Sequence, residues 1–297
     1  VISSIFRGLG DSKSPMCFIA VACVVNIALD YLFMGYFHLG PAGAALGTTM
    51  SQAFSVVLAL IVIIKKQSGI TLQKRDLRPQ KAVMGQLLQI GIPVALQDGF
   101  IQIAFIVITI IANRRGLSAA AAVGIVEKII SFLFLVPSSM LSTVSALCAQ
   151  NIGAGKAKRI PLGFRSGLKL SAVAAVPFVV LYVGFSRQMM GLFLNAESGA
   201  AITAGMGFLR IVVPWYLMIV IKLMTDGIIR GAGAMTYFVA ATVPDLIIRI
   251  LFALIFSKNY GSTGIWMAWP FGWIVATTLT LIFYRKLGYK NDKSSDF

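Results

Sequence analysis

The sequence predicts an all-α polytopic membrane protein whose chain contains one structural unit twice, and three observations lead there. Of its 297 residues 58% are hydrophobic and only 12% charged, whereas soluble domains hold about a quarter of their residues as charges. The apolar residues form long runs, and about 20 residues of helix cross the ~30 Å hydrocarbon core of a bilayer. Landmarks also recur in order: Ile5-Phe6-Arg7-Gly8-Leu9-Gly10 returns as Ile228-Ile229-Arg230-Gly231-Ala232-Gly233, with Arg7 and Arg230 lying 223 residues apart. Each copy continues through an apolar run, a break with Gly40-Pro41-Ala42-Gly43 or Gly261-Ser262-Thr263-Gly264, and a second run ending in Lys65-Lys66 or Arg285-Lys286.

Eight apolar segments are long enough to span, near 15–36, 43–64, 86–112, 119–149, 164–185, 202–228, 235–257 and 264–284. The tail of a preceding helix occupies 1–6. Pro93, Pro137, Pro177, Pro214, Pro244 and Pro270 fall inside these segments as candidate kinks, which membrane helices accommodate when neighbours satisfy the freed carbonyl. The second copy has 144 residues between Gln86 and Arg230 and the first only six before Arg7. The duplicated unit, about 220 residues, is longer than the usual solenoid period and typical of the halves of secondary transporters, and it predicts about 138 residues ahead of Val1. On this reading residues 1–66 end a first six-helix bundle, 67–83 form a polar linker, 84–286 form a second six-helix bundle and 287–297 are a tail.

The basic residues orient these spans. With the C-terminus cytoplasmic, segments 7–15, 65–81, 156–169, Arg230 and the tail hold 18 of the 26 Lys and Arg, against four on the opposite face: Arg114, Arg115, Arg187 and Lys258. That asymmetry is a positive-inside pattern. It accounts for the formal charge of +16 without nucleic acid, and anionic lipid headgroups are the natural partners of Lys65, Lys66, Lys74, Arg75 and Arg78. Cys17, Cys23 and Cys148 have neither metal-ligand nor disulfide spacing and read as small core residues.

Charge at mid-membrane costs several kcal/mol unless paired, hydrated or neutralised, so the ionisable residues inside spans are the candidate sites. Asp98 shares a helix face with Gln102, Thr109 and Asn113, a polar stripe on an apolar helix. It reads as a cavity wall with Asp98 as an ion or proton site, or as an interhelical hydrogen-bonding seam. Glu127 heads a second stripe with Ser131, Ser138, Ser142 and Ser145, where hydroxyls can help ligate a cation or let helices approach closely. Lys222 and Asp226 are four apart, as are Asp245 and Arg249, so each pair can close on its own helix as a structural or switching ion pair. Arg7, Gly8 and Gly10, like Arg230, Gly231 and Gly233, read as a turn motif: glycines supplying positive φ, with an Arg anchored to carbonyls or lipid phosphate.

Taken together, Arg7-Gly8-Leu9-Gly10-Asp11-Ser12-Lys13-Ser14-Pro15 with Asn26 and Asp30, Gly91-Ile92-Pro93, Ala149-Gln150-Asn151-Ile152-Gly153-Ala154-Gly155 and Arg230-Gly231-Ala232-Gly233 resemble the multidrug and toxic compound extrusion (MATE) family. The resemblance runs along essentially the whole chain and places it on the fifth to twelfth helices of a twelve-helix transporter. It implies two six-helix bundles around a central cavity, and a monomeric antiporter that exchanges Na⁺ or H⁺ for amphipathic, cationic organic compounds at the cytoplasmic membrane, with no cofactor beyond the coupling ion. In the family a carboxylate stands about two turns after Gly-x-Pro and another about three turns before Arg-Gly. Here those places hold Ile101 and Ile219, with Asp98 and Asp226 displaced toward the cytoplasmic side.

Other classes fit less well. Gly153, Gly155 and Lys156 lack phosphate-loop spacing, and His38, the single histidine, has no ligand or nucleophile partner at motif spacing. No catalytic or metal-binding residue is therefore expected, and a membrane-embedded enzyme is disfavoured. A flippase of the same superfamily, moving lipid-linked sugars or peptidoglycan precursor, would suit a broader and more cationic cavity than these acidic and hydroxylic stripes.

Overall fold

The computed structural model describes residues 2–65, 80–194 and 198–288, all of them helix and turn. Most of the predicted linker 67–83 and tail 287–297 lies outside the described residues. The helices are α1 (Ile2–Gly8), α2 (Lys13–Asp30, continued by a π-helical turn to Tyr36), α3 (Gly40–Lys65), α4 (Lys81–Asn113) and α5 (Leu117–Gly153). They are followed by α6 (Ile160–Gly184), α7 (Ser186–Gly191), α8 (Gly199–Val212), α9 (Tyr216–Gly231) and α10 (Met235–Lys286). The chain separates into two compact units, Val1–Met84 and Gly85–Phe297.

Seven helical elements among the described residues are long and apolar enough to cross a membrane, where the sequence predicts eight. The difference lies in α10, a continuous run of 52 residues that would measure about 78 Å if straight. It is not straight. Gly261 leaves helical geometry at φ 60°, ψ −137°, and a Cβ on Gly264 would lie 2.2 Å from the Phe256 carbonyl oxygen. Tyr237 stacks on Phe283 and Phe252 lies tilted against Phe271, both at 5.0 Å, pairs that straddle Gly261. Thus α10 is two antiparallel arms folded about Gly261. Of the six prolines expected as kinks, Pro214 sits in a 3₁₀ turn, Val213–Trp215, that separates α8 from α9, while the other five lie inside α-helices.

The repeated turn motif has one backbone geometry in both copies. In the first, Gly10 N–H donates to Arg7 C=O (3.1 Å) and Asp11 N–H to Phe6 C=O (2.9 Å); in the second, Gly233 N–H donates to Arg230 C=O (3.0 Å) and Ala234 N–H to Ile229 C=O (3.0 Å). These are the two bonds of a Schellman helix end, with the left-handed glycine at Gly10 (φ 88°) and Gly233 (φ 71°). Gly40 and Gly261 also match, at φ 56° and 60°. Gly8 and Gly231, expected to share the turning role, instead remain helical. Gly231 permits a close helix contact instead, since a Cβ there would lie 2.4 Å from the Ser145 carbonyl oxygen, and one on Gly227 would lie 2.9 Å from that of Leu141. This small-xxx-small face lets α9 lie against the α5 backbone, the close approach that substitutes for hydrophobic driving force in lipid.

The main core belongs to the second unit. Val123, Val126, Ile129 and Leu133 of α5 pack with Phe208 of α8, Val220 and Met224 of α9 and Trp266 and Trp273 of α10. Phe208 stacks flat on Trp266, with centroids 4.4 Å apart. The first unit has a small core of its own, Phe6, Phe18, Ala59 and Ile63.

Candidate functional site

A cavity of about 330 Å³ opens within the second unit, bordered by α4, α5, α9 and both arms of α10. Its apolar wall is aromatic: Trp269 and Trp273, one helical turn apart, meet edge to face at 5.9 Å, and Phe105 and Phe134 rest against them at 5.3 and 6.3 Å. The Trp-x-x-x-Trp spacing puts both indoles on one helix face, a signal present in the sequence and not singled out there.

Four charged side chains reach this space: Glu127, Lys222, Asp245 and Arg249. Arg249 donates through Nη2 to both carboxylate oxygens of Asp245, each at 2.9 Å, and its guanidinium lies 4.8 Å from the Trp269 ring centroid. Gly272 makes room for this pair, since a Cβ on it would stand 2.4 Å from Asp245 Oδ1. Lys222 Nζ donates to Asp226 Oδ2 at 2.7 Å, both residues buried. Both i,i+4 pairs are therefore closed.

Glu127 differs from these. Its Oε1 is buried without a hydrogen-bond partner among the described residues, as are Thr242 Oγ1, Trp269 Nε1 and Arg249 Nε. The neighbouring Lys128 is exposed, on another face of α5. The cavity thus combines a carboxylate oxygen able to accept with indole and guanidinium N–H groups able to donate. Uncompensated, each such group costs about 1–3 kcal/mol; a bound ion, ligand or water would offset that.

The predicted site residues divide. Glu127 and Ser131 line the cavity together with Lys222, Asp245 and Arg249. Asp98, Gln102 and Ser138 are exposed and are not among its lining residues. On α4 the lining face is Gln97, Ile101 and Phe105, one residue and about 100° away from the polar stripe. Three serines of the α5 stripe are satisfied within their own helix: Ser131 donates to Lys128 C=O (2.6 Å), Ser138 to Leu135 C=O (3.1 Å) and Ser142 to Ser138 C=O (3.4 Å). Arg230, expected to bond carbonyls or lipid, donates instead to Gln97 Oε1 at 2.8 Å and lies over the Phe238 ring at 4.5 Å. Ile101 and Ile219, at the places where the resemblance led one to look for carboxylates, do line the cavity; the carboxylates reach it from α5 and α10. A larger depression of about 840 Å³ beside α7 and α8 holds Arg187 and Arg210, with no carboxylate lining it among the described residues.

Comparison with known proteins decides the family. The MatE family profile matches residues 93–255, more than half of the chain. The chain belongs to the MatE family. It is 28% identical over 286 residues to the probable multidrug resistance protein YpnP of Bacillus subtilis, an alignment covering 96% of this chain and 63% of that protein. With YoeA, another probable multidrug resistance protein of Bacillus subtilis, it is 26% identical over 293 residues, covering 95% and 63%. The chain therefore spans less than two thirds of the length of these relatives. Among solved structures of the family, a MATE transporter in a bent conformation superposes with a TM-score of 0.87 at 21% identity, covering 97% of this chain and 64% of that one. An outward-facing multidrug resistance MATE transporter gives 0.88 at 22%, covering 95% and 64%. At these identities the solved structures establish the family fold.

Proposed function

We propose that this chain is part of a multidrug exporter: an antiporter that exchanges Na⁺ or H⁺ for amphipathic, cationic organic compounds across the cytoplasmic membrane. The observation that supports this most directly is Glu127, a carboxylate with an unpartnered buried oxygen facing aromatic walls. An exchanged or transported cation would satisfy it, and aromatic faces attract organic cations. Asp245 and Lys222 are already committed to partners, so the exchange role is given to Glu127, with Ser131 beside it. Asp98 and Gln102, exposed on α4, are assigned to the cavity wall of the whole transporter. The names of YpnP and YoeA favour drug-like cargo over the flippase reading.

In the same proposal residues 84–286 act as one six-helix bundle, the Gly261 fold divides α10 into two crossings so that eight spans result, and the whole transporter has twelve. The basic loops face the cytoplasm with the C-terminus, and the protein works as a monomer without cofactor. The test is efflux of a fluorescent organic cation from vesicles containing the protein, with Na⁺ and H⁺ gradients imposed separately. One gradient should drive efflux and Glu127→Gln should abolish it. Failure of both gradients to drive efflux would remove antiport.

A further inference from the structure

A third concave feature lies on the other side of α5, where α6 crosses it. Along this crossing Gly163 faces Leu147 and Gly167 faces Val144, with built Cβ positions only 2.5 and 2.9 Å from those side chains. The helices run antiparallel there, and beside this close contact Thr143, Ser166 and their neighbours line a groove of about 680 Å³. Asn151 and Arg159 stand at one end; Met140 and Leu170 stand at the other. From Asn151 to Met140 the α5 axis advances about 16 Å, roughly half of a ~30 Å hydrocarbon core. The groove thus has the length of one leaflet, polar at its mouth and apolar at its depth.

Charge at the mouth selects the occupant. Lys156, Lys158, Arg159, Arg165 and Lys169 are all exposed, with no acidic residue between 156 and 169. Arg159, which lines the groove itself, has no acidic partner among the described residues. The N-terminus of α6 begins at Ile160, and its dipole adds favourable potential for an anion. A zwitterionic headgroup would gain little from this concentration of basic groups.

We infer that the groove between α5 and α6 holds the acyl chain of one anionic phospholipid, with its phosphate at Arg159. This site is separate from the 330 Å³ cavity and does not depend on the transport reading. Its function would be to fill the groove and to fix α6 against α5 in the membrane.

The test is native mass spectrometry of the full chain in detergent, titrated with phosphatidylglycerol and phosphatidylcholine of identical acyl chains. The wild type should retain one phosphatidylglycerol under activation that strips phosphatidylcholine. Ser166→Phe, which fills the groove, should abolish that retention with helix content by circular dichroism unchanged; Thr143→Phe, on the opposite wall, provides the same block if the first variant fails to fold. Arg159→Gln should still bind a lipid while losing about fivefold in preference for phosphatidylglycerol, the contribution expected of one basic contact. Equal retention of both lipids by the wild type, or undiminished retention in the blocked variants, would overturn the assignment. So would a dimer that Ser166→Phe dissociates, which would give the groove to a second copy of the chain.

Discussion

Residues 5–65 and 228–286 are two renderings of one motif, each a Schellman turn followed by a pair of antiparallel helical arms, and they differ in what the side chains do. The turning glycines match, Gly10 with Gly233 and Gly40 with Gly261. After the first turn, Asp11 caps the next helix, accepting from the Lys13 and Ser14 backbone N–H groups at 3.1 Å each; after the second, Ala234 stands in that place and provides no side-chain cap. The carboxylate of the first copy, Asp30, receives one long bond from Asn26 Nδ2 at 3.4 Å. The second copy instead buries Asp245 and Arg249 as a two-bonded pair beside Trp269. Backbone geometry here is tied to glycine positions, while polar chemistry has moved between copies. Repeat-matching can therefore transfer a turn from one half to the other but cannot transfer a site.

The sharpest way to break this comparison is at the two carboxylates. Asp245→Asn leaves Arg249, only 6% exposed, without its partner, and removing one member of a buried pair costs about 3–5 kcal/mol. Folded yield in detergent should fall severely, with recovery when Arg249→Met is added. Asp30→Asn should change the melting temperature little, because its carboxylate, packed against Gly47, accepts one long hydrogen bond, faces no buried cation among the described residues and is half-exposed. Comparable losses from both would mean that the two copies carry their charges equivalently.

A smaller effect separates the helical glycines. Gly231→Ala drives a methyl into the Ser145 carbonyl, a backbone atom that cannot rotate away, with Cys148 Cβ 2.7 Å distant. Overpacking of this kind costs about 1–3 kcal/mol. Gly8 has nothing within 4 Å, so Gly8→Ala should stay within about 0.5 kcal/mol of wild type. Paired thermal melts measure the contrast; equal shifts would contradict the different roles given to the two glycines.

Where the copies agree, so should their variants. Gly10→Ala and Gly233→Ala each force a Cβ into the left-handed region at about 1–2 kcal/mol, with open space around both. Their melting temperatures should drop by similar amounts. A large drop in only one copy would show that the shared hydrogen bonds conceal different strain.

Much of the fold is legible in the sequence because membrane helices announce themselves by length and apolarity, and because glycine at positive φ leaves a mark that duplication repeats. The i,i+4 pairs Lys222–Asp226 and Asp245–Arg249 are legible for the same local reason, since one helix turn determines the contact. The cavity is less so. Periodicity identifies a polar face on α4 but not its rotation about the axis, and a neighbour decides that: Arg230 of α9 binds Gln97, and the face bearing Gln97, Ile101 and Phe105 turns to the aromatic wall. Thr242, Trp269 and Trp273 join Glu127 because α10 folds back at Gly261, where the sequence does show a break between two apolar runs; which faces of the two arms then meet α5 is decided by packing, not by periodicity. The part played by Gly231 escapes sequence reasoning because its close contact lies 86 residues away, at Ser145.

The smallest expected effect on stability is also the most informative about function. Glu127 has a carboxylate oxygen with no hydrogen-bond donor among the described residues, so replacing the group by a neutral amide of the same shape removes a desolvation cost without stranding a partner. Glu127→Gln should therefore melt within about 0.5 kcal/mol of wild type or slightly above it, unlike Asp245→Asn. Cation-driven efflux should nevertheless be lost, because an amide can neither bind an exchanged proton nor neutralise a metal cation. Asp98→Asn provides the control on the neighbouring element. Asp98 is exposed and outside the cavity lining, so its variant should retain efflux in proportion to its expression if the exchange role belongs to Glu127 alone. Efflux abolished by Asp98→Asn and retained by Glu127→Gln would move the exchange site from the α5 wall to the polar stripe of α4. It would also show that the cavity within the second unit only packs the bundle.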